Sequence, residues 1–214
     1  MLKEILFMTG NKHKLKEVSH MFSPIGYSVN SLEFESEEDQ IIEPQVDTVV
    51  EVSKSKLSQC ISILEDRNLI GNKSLMVEDS GLFINSFDGF PGVYSAYVLK
   101  TLGCEGILEL MKNKNNRLAE YRSSVSFWDG ESKKMFHGYG TCPGYIDVER
   151  RGRGGFGYDP IFVPLNLDDL GNPLDYGKEG VISTNGQTFG EVSLDCKQQF
   201  SHRRRALSDL LTKL

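Results

Sequence analysis

Apolar residues along the chain follow two kinds of spacing. Short continuous runs mark buried strands: residues 5–9, closed by Gly10-Asn11, and Leu75-Met76-Val77, which runs into Glu78-Asp79-Ser80-Gly81. Helical spacing marks residues 12 to about 22 through Leu15, Val18, Met21 and Phe22. It returns with Val46, Val49, Val50 and Ser53, then Leu57, Ile61 and Leu64, predicting a helix of about four or five turns. Residues 27–32 form a second short strand, and residues 33–43 an acidic connecting loop ended by Pro44. Two helices are expected around 93–102 and 105–112, parted by Gly103, with a polar break at 113–116. Residues 121–128 alternate, Asp129-Gly130 signals a hairpin, and a return strand is expected over about 133–142. This hairpin interrupts the alternation of strands and helices and is expected to form a second lobe. Leu207, Leu210, Leu211 and Leu214 mark a closing amphipathic helix with Ser201 as its N-cap. Residues 165–187 are polar and weakly patterned, which predicts a surface insertion or a flexible segment. The succession predicts an α/β fold with a mixed sheet, one domain over 1–214, without internal repeats or a linker.

Composition narrows the function classes. At 214 residues and 39% hydrophobic the chain can bury a core. Its net charge of −6 opposes general affinity for nucleic acid or anionic membrane, yet leaves room for a local basic pocket. Cys60, Cys104, Cys142 and Cys196 lie far apart, with no Cys-x-x-Cys pair, and the histidines lack ligand spacing, so structural zinc is not expected. They read as reduced thiols of a cytoplasmic protein. The apolar start is too short for a signal peptide or a membrane span, and no longer apolar run follows.

Three stretches carry candidate chemistry. Glu78-Asp79 at the end of a buried strand would sit where α/β sheets bind ligands, and its acids could hold a divalent cation or accept a proton. In isolation a simple turn at Asp79-Ser80-Gly81 is the plainer explanation. Thr9-Gly10-Asn11 joins a strand to a helix start, an anion-binding arrangement to which Lys12 and Lys14 add charge; it is not a Walker A loop, and a plain turn with surface lysines explains it as well. Arg151-Gly152-Arg153-Gly154-Gly155-Phe156-Gly157-Tyr158-Asp159-Pro160 is followed by an apolar strand and not by a helix, so it is no dinucleotide fingerprint. A loop that brings backbone close to a ligand, with Phe156 as a stacking face, fits better than an RNA-binding segment. Arginines 203–205 at a helix start oppose the helix dipole unless an anion lies near; a solvated basic cluster is the alternative.

Taken in order, these blocks resemble the inosine triphosphate pyrophosphatases. The matching blocks are Thr9-Gly10-Asn11-Lys12-His13-Lys14, Glu43-x-Gln45 with Lys56, Val77-Glu78-Asp79-Ser80-Gly81-Leu82, Gly89-Phe90-Pro91-Gly92-Val93-Tyr94-Ser95-Ala96, Gly154-Gly155-Phe156-Gly157-Tyr158-Asp159-Pro160 and Ser201-His202-Arg203. The acidic loop and the Glu43-x-Gln45 form are closest to archaeal members. The resemblance implies an elongated two-lobed mixed-sheet fold with a central substrate cleft, a homodimer, and Mg²⁺-dependent hydrolysis of ITP, dITP and XTP to the monophosphate and pyrophosphate. By position it implies that Thr9, Asn11 and Lys14, helped by Lys56, bind the triphosphate, with Gly10, Lys12 and His13 among the substrate-binding residues. It implies that Glu43 and Asp79 hold Mg²⁺, that Asp79 is also the base, and that Ser80 contacts substrate. Phe156, Gly157, Tyr158, Asp159, Lys197, His202 and Arg203 fall on the nucleobase side. Two features depart from the family: residues 165–187 are longer than the usual connection, and Arg204 stands where glycine is usual.

The implied residues suit the chemistry. Lysines and strand-end amides can balance a triphosphate's charge while water attacks the α-phosphorus. Glu43 and Asp79 are expected to meet across the cleft from different elements, with Glu78 as an outer or water-mediated ligand. Donors such as His202, Arg203 and Lys197 aimed at O6 would accept hypoxanthine or xanthine and mispair with adenine. The competing readings are a related pyrophosphatase for modified pyrimidine nucleotides, an RNA-binding module, and an α/β fold whose sites have decayed.

Overall fold

The computed structural model describes residues 2–34 and 39–214, with His13 described by its backbone alone. Residues 35–38 of the predicted acidic loop, Met1 and the His13 side chain lie outside the described residues. The strands are β1 (Lys3–Met8), β2 (Tyr27–Leu32), β3 (Ser74–Ile84), β4 (Pro91–Gly92), β5 (Leu118–Asp129), β6 (Lys134–Ile146) and β7 (Phe162–Pro164). The helices are α1 (Lys12–Phe22), α2 (Val49–Asp66), α3 (Ser95–Thr101), α4 (Gly103–Met111), α5 (Leu194–Phe200) and α6 (His202–Leu211). The sheet runs β2-β1-β3-β5-β6-β7, with β4 paired to β3. β1 lies parallel to β2 and β3, while β3–β4 and β6–β7 are antiparallel, so the sheet is mixed as predicted.

The chain divides into two compact units: Met1–Asp79 with Ser123–Gly140 and Arg203–Leu214, and Ser80–Arg122 with Thr141–His202. The first has three layers, set by strand alternation. Ile5, Phe7 and Met76 face Val18 and Phe22 of α1 and Leu207 and Leu210 of α6. Leu6, Met8, Leu75 and Val77 face Leu57, Ile61 and Leu64 of α2. A central strand covered on both faces must be apolar at every position, which is why Leu75-Met76-Val77 reads as an unbroken run. Helix α2 starts at Val49, three residues later than Val46 suggests, because Thr48 caps it: its Oγ1 accepts from the Glu51 N–H at 3.2 Å and donates to the Glu51 carboxylate at 2.7 Å.

The second unit packs α3, α4 and α5 around Leu82, Ile84, Ile146, Ile161, Phe162 and Phe189. The predicted hairpin does not form this unit alone. Its tip, Ser123–Gly140, belongs to the first unit, where Val125 and Phe127 join the core of α1 and α6. Residues 165–187 lie mostly at the surface, in line with a surface insertion, and are pinned by Leu167, which is buried and bridges both Pro173 and Ile182, and by buried Thr184. At the C-terminus the helix expected after Ser201 is α6, and a further short helix, α5, precedes it.

A larger difference concerns β3. It was expected to end at Glu78-Asp79, with Ser80-Gly81 as a turn; instead it continues to Ile84. Gly81 serves close approach: β4 pairs Leu82 with Gly92, and a Cβ on Gly81 would fall inside contact distance of the Gly92 carbonyl. The Ser95 hydroxyl closes this corner, accepting from the Leu82 N–H at 2.7 Å and donating to the Gly92 carbonyl at 2.6 Å. Gly81→Ala is expected to cost about 1–3 kcal/mol through overpacking; an unchanged urea midpoint would contradict this.

Candidate active site

Because β3 runs through the Glu78-Asp79 pair, its two carboxylates point to opposite faces of the sheet. Glu78 shares the face of α1 and α6. Its side chain is fully buried; Oε1 accepts from the Ser123 hydroxyl at 2.7 Å and lies 3.2 Å from Arg203 Nε, and Oε2 lies 2.6 Å from Lys14 Nζ. Burial alone would raise its pKa, but the Arg203 and Lys14 charges outweigh it and hold the carboxyl well below the usual range. Arg203 reaches Glu17 of α1 at 3.0 Å as well. Lys14 and Arg203, expected to serve phosphate and nucleobase respectively, thus meet at one acid. Glu78 is their common anchor.

Asp79 points to the α2 face. Its Oδ1 and Glu43 Oε1 both lie 3.0 Å from Lys56 Nζ, so one ammonium joins the two acids. The acids meet within the first unit, through α2. Asp79 Oδ2 is buried and has no hydrogen-bond partner among the described residues. Burial raises the Asp79 pKa, the Lys56 charge offsets only part of this, and neighbouring Glu78 adds to the rise. Lys56 is shifted upward: burial, which lowers it, is outweighed by Asp79 and Glu43. Lys56 is held by its helix, whose Ser53 hydroxyl lies 2.9 Å from both Ser124 and Ser126 of β5.

This donor set fits Mg²⁺. Two carboxylates converge on one cation, and one of their oxygens is buried without a partner. No group of three or more His, Cys, Asp or Glu that could hold a metal occurs among the described residues. A cation here would therefore draw its remaining ligands from water and phosphate, as Mg²⁺ commonly does.

At the start of α1, Asn11 Oδ1 accepts from the Lys14 N–H at 3.3 Å, and Thr9 Oγ1 from the Asn11 N–H at 3.1 Å. Gly10 and Lys12 are exposed beside them. The predicted strand–Thr-Gly-Asn–helix junction is thus present, with its side chains shaping the loop.

The second unit gathers another predicted group. Asp159 is buried, pairs with Lys197 and accepts from the Phe156 N–H at 2.7 Å. Lys197 Nζ lies 4.3 Å from the centre of the half-exposed Phe156 ring and 5.3 Å from that of Phe189. Gly155, at φ +71°, lets the loop fold onto Asp159, where a Cβ would collide with the carboxylate. Tyr158 is buried and donates to the Ser95 carbonyl at 2.9 Å, which makes it a support for Gly157 and the loop. His202 stacks on Tyr121 at 4.9 Å and 11°. Ser80 is a half-buried residue of β3. Sequence patterns did not point to Glu17, Ser123 or Tyr121, which carry no motif of their own. The Thr48-x-x-Glu51 cap was readable and marks where the Lys56 helix begins.

A mixed sheet carrying adjacent acids on opposite faces, each paired with a lysine, defines an α/β protein with an acid–lysine centre. The chain belongs to the Ham1 family, whose profile matches residues 5–213. A dITP/XTP pyrophosphatase of Pyrococcus horikoshii is 37% identical over 207 residues, 95% of this chain and 92% of that protein. One of Thermococcus kodakarensis is 35% identical over 205 residues, 96% of this chain and 94% of that protein. The structure of the Staphylococcus aureus Ham1 protein matches with a TM-score of 0.75 and 26% identity, covering 99% of this chain and 97% of that one.

Proposed function

We propose that this protein hydrolyses the non-standard purine nucleoside triphosphates ITP, dITP and XTP to the nucleoside monophosphate and pyrophosphate, and does so with Mg²⁺. The observation that carries the reading is the division between the two acids of β3. Glu78 is held by two cations, Lys14 and Arg203, and by the Ser123 hydroxyl, whereas Asp79 meets the one ammonium of Lys56 through Oδ1 and keeps Oδ2 buried without a hydrogen bond among the described residues. Names borne by the archaeal relatives support the substrate class.

Asp79 is the base. Its burial-raised basicity suits it to take a proton from water as that oxygen bonds to the α-phosphorus and pyrophosphate departs with the electron pair of the broken anhydride bond. Lys56, already between two acids, and Lys14 offset the charge that develops on the phosphates. Glu43 and Asp79 would hold Mg²⁺, which when bound supplies divalent charge opposite the triphosphate. Asn11 and Thr9 hold the α1 start so that its first N–H groups can meet phosphate oxygens. For the purine, Phe156 supplies a stacking face, and Lys197 and His202 supply donors for O6. The family resemblance assigns Arg203, which is bound to Glu78 and Glu17, to the nucleobase as well. Adenine presents an amino group there and leaves the donors unmatched. The family resemblance adds a homodimer and a cytoplasmic setting to this proposal.

Pyrophosphate release from ITP, dITP, XTP, ATP, GTP and modified pyrimidine triphosphates, with and without Mg²⁺, tests the reading. Preference for ITP over ATP is expected to reach about two orders of magnitude or more, with turnover lost in chelator. Comparable turnover of ATP and ITP, or a preference for a modified pyrimidine, would overturn it.

A further inference from the structure

The group assigned to the purine in the second unit lies on two segments with little regular structure, the loop of residues 151–160 and the turn of residues 184–191, and on the short helix α5. Its aromatic and charged side chains can discriminate bases only if these segments keep a fixed relation to one another. One side chain outside that group ties the first two together. Arg151 donates through Nε to Asp147 at 2.6 Å and through one terminal nitrogen to the Gly186 carbonyl at 2.6 Å; the other terminal nitrogen lies 3.3 Å from Glu191. Its backbone joins the same lattice: the Arg151 N–H donates to the Pro160 carbonyl at 2.8 Å, and its carbonyl accepts from the Thr188 hydroxyl at 3.0 Å. Glu191 turns back to accept from the Thr188 N–H at 2.9 Å. The enclosed strand of contacts is close: Gly154 N–H reaches the Gly190 carbonyl at 2.9 Å, and Gly190 N–H reaches the Asp159 carbonyl at 3.0 Å. Phe189, over which Lys197 rests, lies between Thr188 and Gly190 of this turn.

We propose that Arg151, held by Asp147 and Glu191, is a positioning residue for base selection: its guanidinium fixes the 184–191 turn against the 151–160 loop and so sets the spacing of Phe156, Phe189 and Lys197. It touches no residue assigned to the phosphates or to Asp79 in the contacts above, and it acts through the purine group alone. This rests on the function proposed above. A planar fork with several donors is needed, since the carboxylates and the carbonyl lie in different directions, and a lysine can serve only part of that set.

The test compares Arg151→Lys, Arg151→Gln, Glu191→Gln and the Arg151→Gln/Glu191→Gln double variant, each by kcat and KM for ITP and for ATP, with melting curves to confirm folding at the assay temperature. Arg151→Gln is expected to raise KM for ITP and lower the ITP-to-ATP ratio of kcat/KM by about 100-fold, with kcat changed far less; Arg151→Lys should recover part of this. Glu191→Gln should act in the same direction, and the double variant should fall short of the product of the single effects because both break one lattice. An unchanged ITP-to-ATP ratio in Arg151→Gln, or losses that fall on kcat for both nucleotides alike, would overturn the proposal. If Arg151→Gln does not fold, Arg151→Lys and Glu191→Gln decide by the same ratio. Wild-type enzyme that turns over ATP as well as ITP would instead overturn the function proposed above, and this role with it.

Discussion

Asp79→Asn is expected to lose about 10²–10⁴-fold in turnover of ITP while the protein melts as before. The substitution keeps shape and removes a carboxylate oxygen, Asp79 Oδ2, that is buried without a hydrogen-bond partner among the described residues. Lys56 keeps Glu43 at 3.0 Å, so its ammonium is not left alone, and the strand pairing of β3 is untouched. Burial raises the pKa of Asp79, so its ionised form is held in the fold at a cost that asparagine does not bear. Loss of activity therefore reports chemistry and not unfolding. Near wild-type turnover by a folded Asp79→Asn protein would remove Asp79 from the mechanism.

Glu78→Gln should do the reverse: its first effect is on stability. Glutamine would leave Lys14 and Arg203 facing a neutral group in a buried place, where breaking a charge pair costs about 3–5 kcal/mol. The folded carboxyl is held below its unfolded value by those two cations against the effect of burial. Its stabilisation is thus fully present above the unfolded carboxylate pKa, near 4.3, and is lost as pH falls through the lower folded value. Urea unfolding without divalent ions should show a gap between wild type and variant at pH 7 that narrows below about pH 4. A gap that stays constant with pH, or no gap, would contradict the anchoring role of Glu78.

The two acids are neighbours in sequence and differ in kind because a strand alternates. That distinction was only half legible. Leu75-Met76-Val77 announces a strand covered on both faces, and once covered on both faces a Glu-Asp pair within it must divide between α1/α6 and α2. What hid this was Ser80-Gly81, which reads as a turn; the need for glycine arises from Gly92, eleven residues on, whose carbonyl approaches too closely for a Cβ. Lys56 pairs with Glu43, and Lys197 with Asp159, residues that the motifs already single out. Arg203 was assigned with the purine, and its partners Glu78 and Glu17 could not be read, because ion pairs between α6, β3 and α1 depend on register and on how the helices pack. Tyr121 under His202 and the Arg151 lattice depend in the same way on long-range contacts that leave no period in the chain. The 165–187 segment lacks patterning because its buried members, Leu167 and Thr184, are single residues within polar turns.

Hydrolysis of ITP in ¹⁸O-labelled water tests the central chemistry most directly. Attack on the α-phosphorus by water that gives its proton to Asp79 places one labelled oxygen in the phosphate of IMP and leaves the released pyrophosphate unlabelled. Label in pyrophosphate, or release of orthophosphate with IDP as the product, would contradict it.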